Sequence, residues 1–212
     1  MDNCRFGRLT SEIINQCQPY TCSKNADIDS FFHDNTPDNY RDYWLEMMGT
    51  THCFFTDEKD NTAQPKMVCA FSLSNSSSRT DILPNNRRNR LNRSIPNAKR
   101  RFQYPAILIG ELCVFDGFGH KTFGCNIADE MMNLIKTIAI DPDNNSSSRY
   151  LIVDALNSPE VIGYYMRNGF EFLFASDEEE LEHLRGSHSR DIQICKTRLM
   201  FFDLIVLNQQ MR

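Results

Sequence analysis

Apolar positions fall into short, separated clusters along the chain, and their spacing predicts alternating helices and strands. Residues 26–32, Ala-Asp-Ile-Asp-Ser-Phe-Phe, read as a short helix. Thr36-Pro37-Asp38 supplies an N-cap and a first-turn proline ahead of Tyr40, Trp44, Met47 and Met48, whose helical spacing predicts a second helix. Residues 52–56 and 67–74 are apolar, β-branched or aromatic runs around the turn-rich segment 57–61, which is a hairpin signal. The pattern thus predicts a helix pair leading into antiparallel strands.

Residues 104–114 are nearly all apolar, as in a strand buried on both faces, interrupted only by Gly110 and Glu111. A glycine there permits a bulge. A glycine-bearing loop follows, and then Ile127, Met131, Leu134, Ile135 and Ile138 mark one face of an amphipathic helix. Residues 150–155 read as another strand. Ser158-Pro159-Glu160 caps and starts a helix through Val161, Ile162, Tyr164 and Tyr165 that stops at Asn168-Gly169. A strand over 170–174 would complete a βαβ unit, Ser176 with Glu179 has capping-box spacing, and residues 199–207 read as a last apolar strand. The fold class expected is α+β, a mixed and mainly antiparallel central sheet flanked by helices.

The 212 residues fit one domain spanning 1–212, and 41% of them are apolar, near the globular average. No apolar run approaches the roughly 20 residues of a membrane helix, and the first residues lack a signal-peptide pattern, so no membrane contact and a cytoplasmic location are expected. The eight cysteines are irregularly spaced with no CxxC pair, which favours free buried thiols. The five histidines lack ligand spacing, so no metal is expected.

The net charge of −5 hides two one-sided segments. An insertion at about 75–103 is basic, with Arg87, Arg88, Arg90 and Arg93 at its centre, and a segment at about 176–190 is acidic. The basic insertion is open to two readings, a solvated loop or a contact with RNA phosphates. With no aromatics between Thr80 and Lys99, such a contact would read charge and shape. A third arrangement packs it on the acidic run, in the same chain or in a homodimer partner.

The loop from Gly119 to Gly124 lies between a buried strand and a helix, where free backbone N–H groups and close approach suit a pyrophosphate. Downstream come Asn157, Tyr164-Tyr165 and Asn168-Gly169-Phe170. Together, the run Ile109-Gly110-Glu111-Leu112-Cys113-Val114, this loop, and the segment from Asp154 to Phe170 resemble the acetyl-CoA-binding core of the GNAT acetyltransferases. The last piece is similar to that family's FYxxxGF ending. Residues 27–32 and 70–74 resemble the branch holding tRNA-acetylating toxins, and residues 197–204 are similar to a strand of gut-bacterial GNAT proteins without an assigned substrate.

The resemblance implies transfer of an acetyl group from acetyl-CoA to a primary amine, on an aminoacyl-tRNA or a protein. It makes Tyr165 the general acid for the departing thiolate and Glu111 a general base or amine-orienting group. The coenzyme would be held by backbone at Leu112, Cys113 and Val114, by the loop Gly119, His120, Lys121, Thr122, Phe123, Gly124 and Cys125, and by Asn157 on the pantetheine arm. Tyr164 would pack. The family loop reads Q/R-x-x-G-x-G/A, and here Gly119 stands in the Q/R position and Thr122 in that of the first glycine. A Cβ there would press on the pyrophosphate, while the Thr122 hydroxyl and Lys121 would offer it a donor and a charge. The alternative from another class is a catalytically impaired GNAT-fold binding or scaffolding module.

Overall fold

The computed structural model describes residues 4–56, 63–92, 95, 102–118, 124–144, 147–187 and 191–210. Their strands are β1 (Cys4–Arg8), β2 (Thr50–Thr56), β3 (Met67–Arg79), β4 (Gln103–Val114), β5 (Tyr150–Leu156), β6 (Glu171–Phe172) and β7 (Thr197–Asp203). Their helices are α1 (Ser11–Gln16), α2 (Ala26–Phe31), α3 (Tyr40–Leu45), α4 (Asn85–Asn92), α5 (Ile127–Ile140), α6 (Pro159–Arg167), α7 (Asp177–Ser187) and α8 (Ile205–Gln210). The strand order is β1-β2-β3-β4-β5-β7-β6. The pairings of β1 with β2, β2 with β3, β5 with β7 and β6 with β7 are antiparallel, so the expected α+β class holds. Among the described residues no helix is long and apolar enough to cross a membrane.

Contacts divide the chain into two compact units, residues 1–75 with 109–135 and residues 76–108 with 136–212. In the first, β2 and β3 form the expected hairpin, and Leu9, Phe32, Tyr40, Cys53, Met67, Ala70, Cys113 and Phe115 build the core. β1 and α1 carry too little apolar periodicity to be read from the sequence. β1 is fixed by pairing with β2, Gly7 opposite Cys53, and α1 by Thr10, whose hydroxyl accepts from the Ile13 amide at 3.3 Å.

The helix expected after Thr36 starts later and ends sooner. Its cap is Asn39, whose Oδ1 accepts from the amides of Arg41 and Asp42 at 2.8 and 3.2 Å. Asp38 takes a positive φ of 55° and is excluded from the helix, and Met47 at φ 58° marks its end. Met47 and Met48 therefore lie outside α3 and are exposed.

In the second unit, Leu83, Tyr104, Ala106, Tyr150, Ile152, Leu173, Phe174 and Phe201 form the core. α6 has the cap and stop that its sequence announces: Ser158 Oγ accepts from Val161, and Gly169 adopts φ 82°. Two strand expectations are corrected. The run 170–174 yields only β6, two residues that pair with β7 and not with β5, because the antiparallel β7 occupies the place beside β5. The final apolar run breaks at Asp203, whose Oδ1 accepts from the Ile205 amide at 3.1 Å and turns the chain into α8.

Candidate active site

In the first unit, β4 carries Gly110, Glu111, Leu112, Cys113 and Val114 in sequence. A Cβ on Gly110 would sit 2.5 Å from the Ser72 Oγ, so any larger residue there would displace the Ser72 hydroxyl. The same buried hydroxyl accepts from the Glu111 amide at 2.9 Å. Ser72 thus fixes the Glu111 backbone through a side chain, a partner that the sequence reading missed because serine in a strand carries no signal of its own.

The Glu111 side chain is half-buried, and among the described residues no cation pairs with it. Burial, reinforced by the charge of Asp27, raises its carboxyl above the ordinary range. Cys113 is buried beside Cys22, and burial first, then that thiol, pushes its own thiol up. A thiol shifted in that direction is less available as a thiolate, which disfavours a nucleophilic role for Cys113. Leu112 and Val114 are half-buried.

Gly119, His120, Lys121, Thr122 and Phe123 lie outside the described residues. Beyond them Gly124 takes φ 67° with open space around its Cα, Cys125 is half-buried, and Asn126 Oδ1 accepts from the Ala128 amide at 3.2 Å where α5 begins. Among the described residues no group of His, Cys, Asp and Glu is arranged to hold a metal ion.

Asn157 and Tyr165 belong to the second unit. Asn157 is exposed just past β5. Its Nδ2 donates to the Cys195 carbonyl at 2.9 Å and its amide to the Lys196 carbonyl at 2.9 Å, which leaves Oδ1 as the face it can offer. Tyr165 is buried in α6, edge-on to Tyr164 at 5.0 Å and to Phe170 at 5.3 Å. Tyr164 is half-buried with the Arg167 guanidinium 5.1 Å from its ring centre.

The end of α6 is tied down by a residue that the sequence hid on the apolar helix α5. Lys136 Nζ donates to the Asn168 carbonyl at 2.7 Å and lies 4.3 Å from the Phe202 ring centre. A Cβ on Gly169 would come within 3.1 Å of that same ring. These contacts hold the turn that ends α6.

Part of the basic insertion is engaged by the protein itself. Its centre is α4, and Arg87 donates from Nε to the Leu173 carbonyl at 3.1 Å and from its second nitrogen to the Phe172 carbonyl. Arg90 pairs with Glu171 at 2.9 Å. Arg88 bonds Asn85, and Arg93 lies outside the described residues. On the acidic run, Asp177 and Glu180 bind Arg198, and Glu179 adds its charge to that of Glu171 near Arg87.

No family profile matches the chain, and no curated protein does. Solved structures do match in fold. AtaT complexed with acetyl-methionyl-tRNAfMet is 13% identical, with a TM-score of 0.62 over 99% of this chain and 100% of that one. A tyrosine-to-phenylalanine mutant of KacT is 12% identical, with a TM-score of 0.60 over 98% and 99%. AtaTR bound with acetyl-CoA is 14% identical, with a TM-score of 0.59 over the whole of both chains. At such identities the likeness establishes the fold alone: this chain has the GNAT-type fold of AtaT and KacT.

Proposed function

We propose that on this GNAT fold the chain transfers an acetyl group from acetyl-CoA to a primary amine. What supports the reading most is the full-length likeness in fold to a structure bound with acetyl-CoA, joined to a carboxyl of raised pKa on the central strand. The amine nitrogen attacks the thioester carbonyl carbon, and Glu111 takes the proton that the nitrogen sheds. A raised carboxyl pKa narrows the gap to an α-amine, near 8, and so suits this transfer. Backbone N–H groups at Cys113 and Val114 receive the developing oxyanion. As the C–S bond breaks, the Tyr165 phenol gives its proton to the coenzyme thiolate.

Leu112, Gly124, Cys125 and the Asn157 Oδ1, with the loop from Gly119 to Phe123, complete the coenzyme contacts in this proposal. Aminoacyl-tRNA is the acceptor carried over from the AtaT complex. Arg88 and Arg93 are then the better candidates for phosphate contact, because Arg87 and Arg90 are engaged with the protein.

The test is a pair of tyrosine variants. Tyr165→Phe keeps the ring and removes the proton, so turnover should fall roughly 10²- to 10⁴-fold with acetyl-CoA affinity nearly unchanged. Tyr164→Phe should be mild. Full activity in Tyr165→Phe removes the assignment, and absence of acetyl-CoA binding by calorimetry at millimolar coenzyme would favour a binding or scaffolding module.

A further inference from the structure

Within the first unit a cavity of about 250 Å³ is lined by Arg8, Thr10, Tyr40, Arg41, Trp44 and Thr51. Three observations mark it as a binding site. The Arg8 guanidinium lies 4.4 Å from the Trp44 ring centre, yet the indole remains 44% exposed. An open indole already holding a planar cation is a platform for a further π system. Arg8 and Arg41 have no carboxylate partner among the described residues, so two forked cations face the same opening unneutralised. Finally, Thr51 is 2% exposed and its hydroxyl has no partner, whereas the Ser11 and Tyr40 hydroxyls bond each other at 3.4 Å. A buried hydroxyl without a partner calls for one.

We propose that this cavity binds one nucleotide, its base against Trp44 and its phosphate on the N–H edges of Arg8 and Arg41. The guanidinium face of Arg8 is spent on the indole, which leaves its edge for a bidentate phosphate contact. The volume takes a single base with its sugar and no folded polymer. Thr51 supplies the polar group at the floor, within reach of a base edge or ribose hydroxyl after rotation about χ1. An acidic peptide would satisfy the arginines but leave the indole without a stacking partner, so the nucleotide fits better.

Trp44 is the chain's one tryptophan, which makes its fluorescence a direct reporter of the cavity. The full chain is titrated with AMP, a single-stranded RNA hexamer, inorganic phosphate and an acidic hexapeptide. Saturable quenching is expected with AMP and with RNA, and none with phosphate or peptide at the same concentrations. Hexamer binding tighter than AMP would identify the source as an RNA strand, and equal affinity would identify a free nucleotide. Arg41→Gln, at an exposed position, should weaken AMP about tenfold with no change in melting point. The proposal is overturned if neither nucleotide quenches saturably, if Arg41→Gln leaves the affinity unchanged, or if the peptide alone binds. No acetyl transfer enters the readout, so the outcome stands apart from the catalytic assignment.

Discussion

Two carboxylates removed from water meet opposite fates in this chain. Glu180, in α7, is 5% exposed in its side chain and receives the Arg198 Nε at 2.6 Å and the Leu199 amide at 2.6 Å. Arg198 also binds Asp177 and stacks over Phe172, 4.3 Å from its ring centre. Glu111, in β4, is half-buried with its backbone held by Ser72, and no cation among the described residues answers its charge. Both pay desolvation; only Glu180 recovers it through charge-assisted hydrogen bonds. For Glu111 the uncompensated cost emerges as a raised pKa, which is a liability for stability and an asset for proton transfer. The same residue type therefore serves as a structural clasp in one unit and as a candidate base in the other.

The sharpest way to break this contrast is to remove Glu180. Glu180→Ala removes the buried partner of Arg198 and leaves it only the exposed Asp177, which should cost about 3 kcal/mol and lower the melting midpoint by roughly 10 °C. Replacing both partners, Arg198→Met with Glu180→Leu, should recover most of that loss, because no unpaired charge remains in the interior and Asp177 is exposed. Equal melting points for the single variant and the parent would show that the clasp carries no stability.

Glu111→Gln should behave in the reverse sense. Turnover at neutral pH should drop by roughly 10²-fold while the melting midpoint stays level or rises, since the buried charge is gone. A variant that loses stability and keeps its activity would make Glu111 structural.

The smallest effect lies in pH dependence. The folded carboxyl has a higher pKa than the unfolded one, so between the two values the folded chain binds more protons. Stability then falls as pH rises from the unfolded value, about 4.3, through the folded one, and levels off above it. Denaturant unfolding at several pH values should show that extra decline in the parent relative to Glu111→Gln. Parallel curves would mean that Glu111 is as well solvated folded as unfolded.

Legibility followed the range of the interactions involved. α6 was readable to the residue because Ser158, Pro159 and Gly169 act on their own backbone. The hairpin of β2 and β3 and the amphipathic α5 were equally plain from spacing. The candidate residues Glu111 and Tyr165 were visible as a misplaced carboxylate and a motif tyrosine. Ser72, which holds the Glu111 backbone, and Lys136, which ties down the end of α6, were not, since each is 32 or more positions from its partner and unremarkable in its own segment.

The sequence by itself determined the fold class, the caps and stops of its strongest elements and the residues with chemistry to offer, because these depend on local geometry and on period. Only the tertiary structure decided what those residues became. It gave β7 the place beside β5 and so left β6 two residues long, and it drew Arg87 and Arg90 from the basic insertion onto β6 and its flanking carbonyls. It also paired Glu180 with Arg198 and left Glu111 without a cation among the described residues. The physical reason is that desolvation and its compensation are set by neighbours distant along the chain, and no local pattern announces which charge will find a partner.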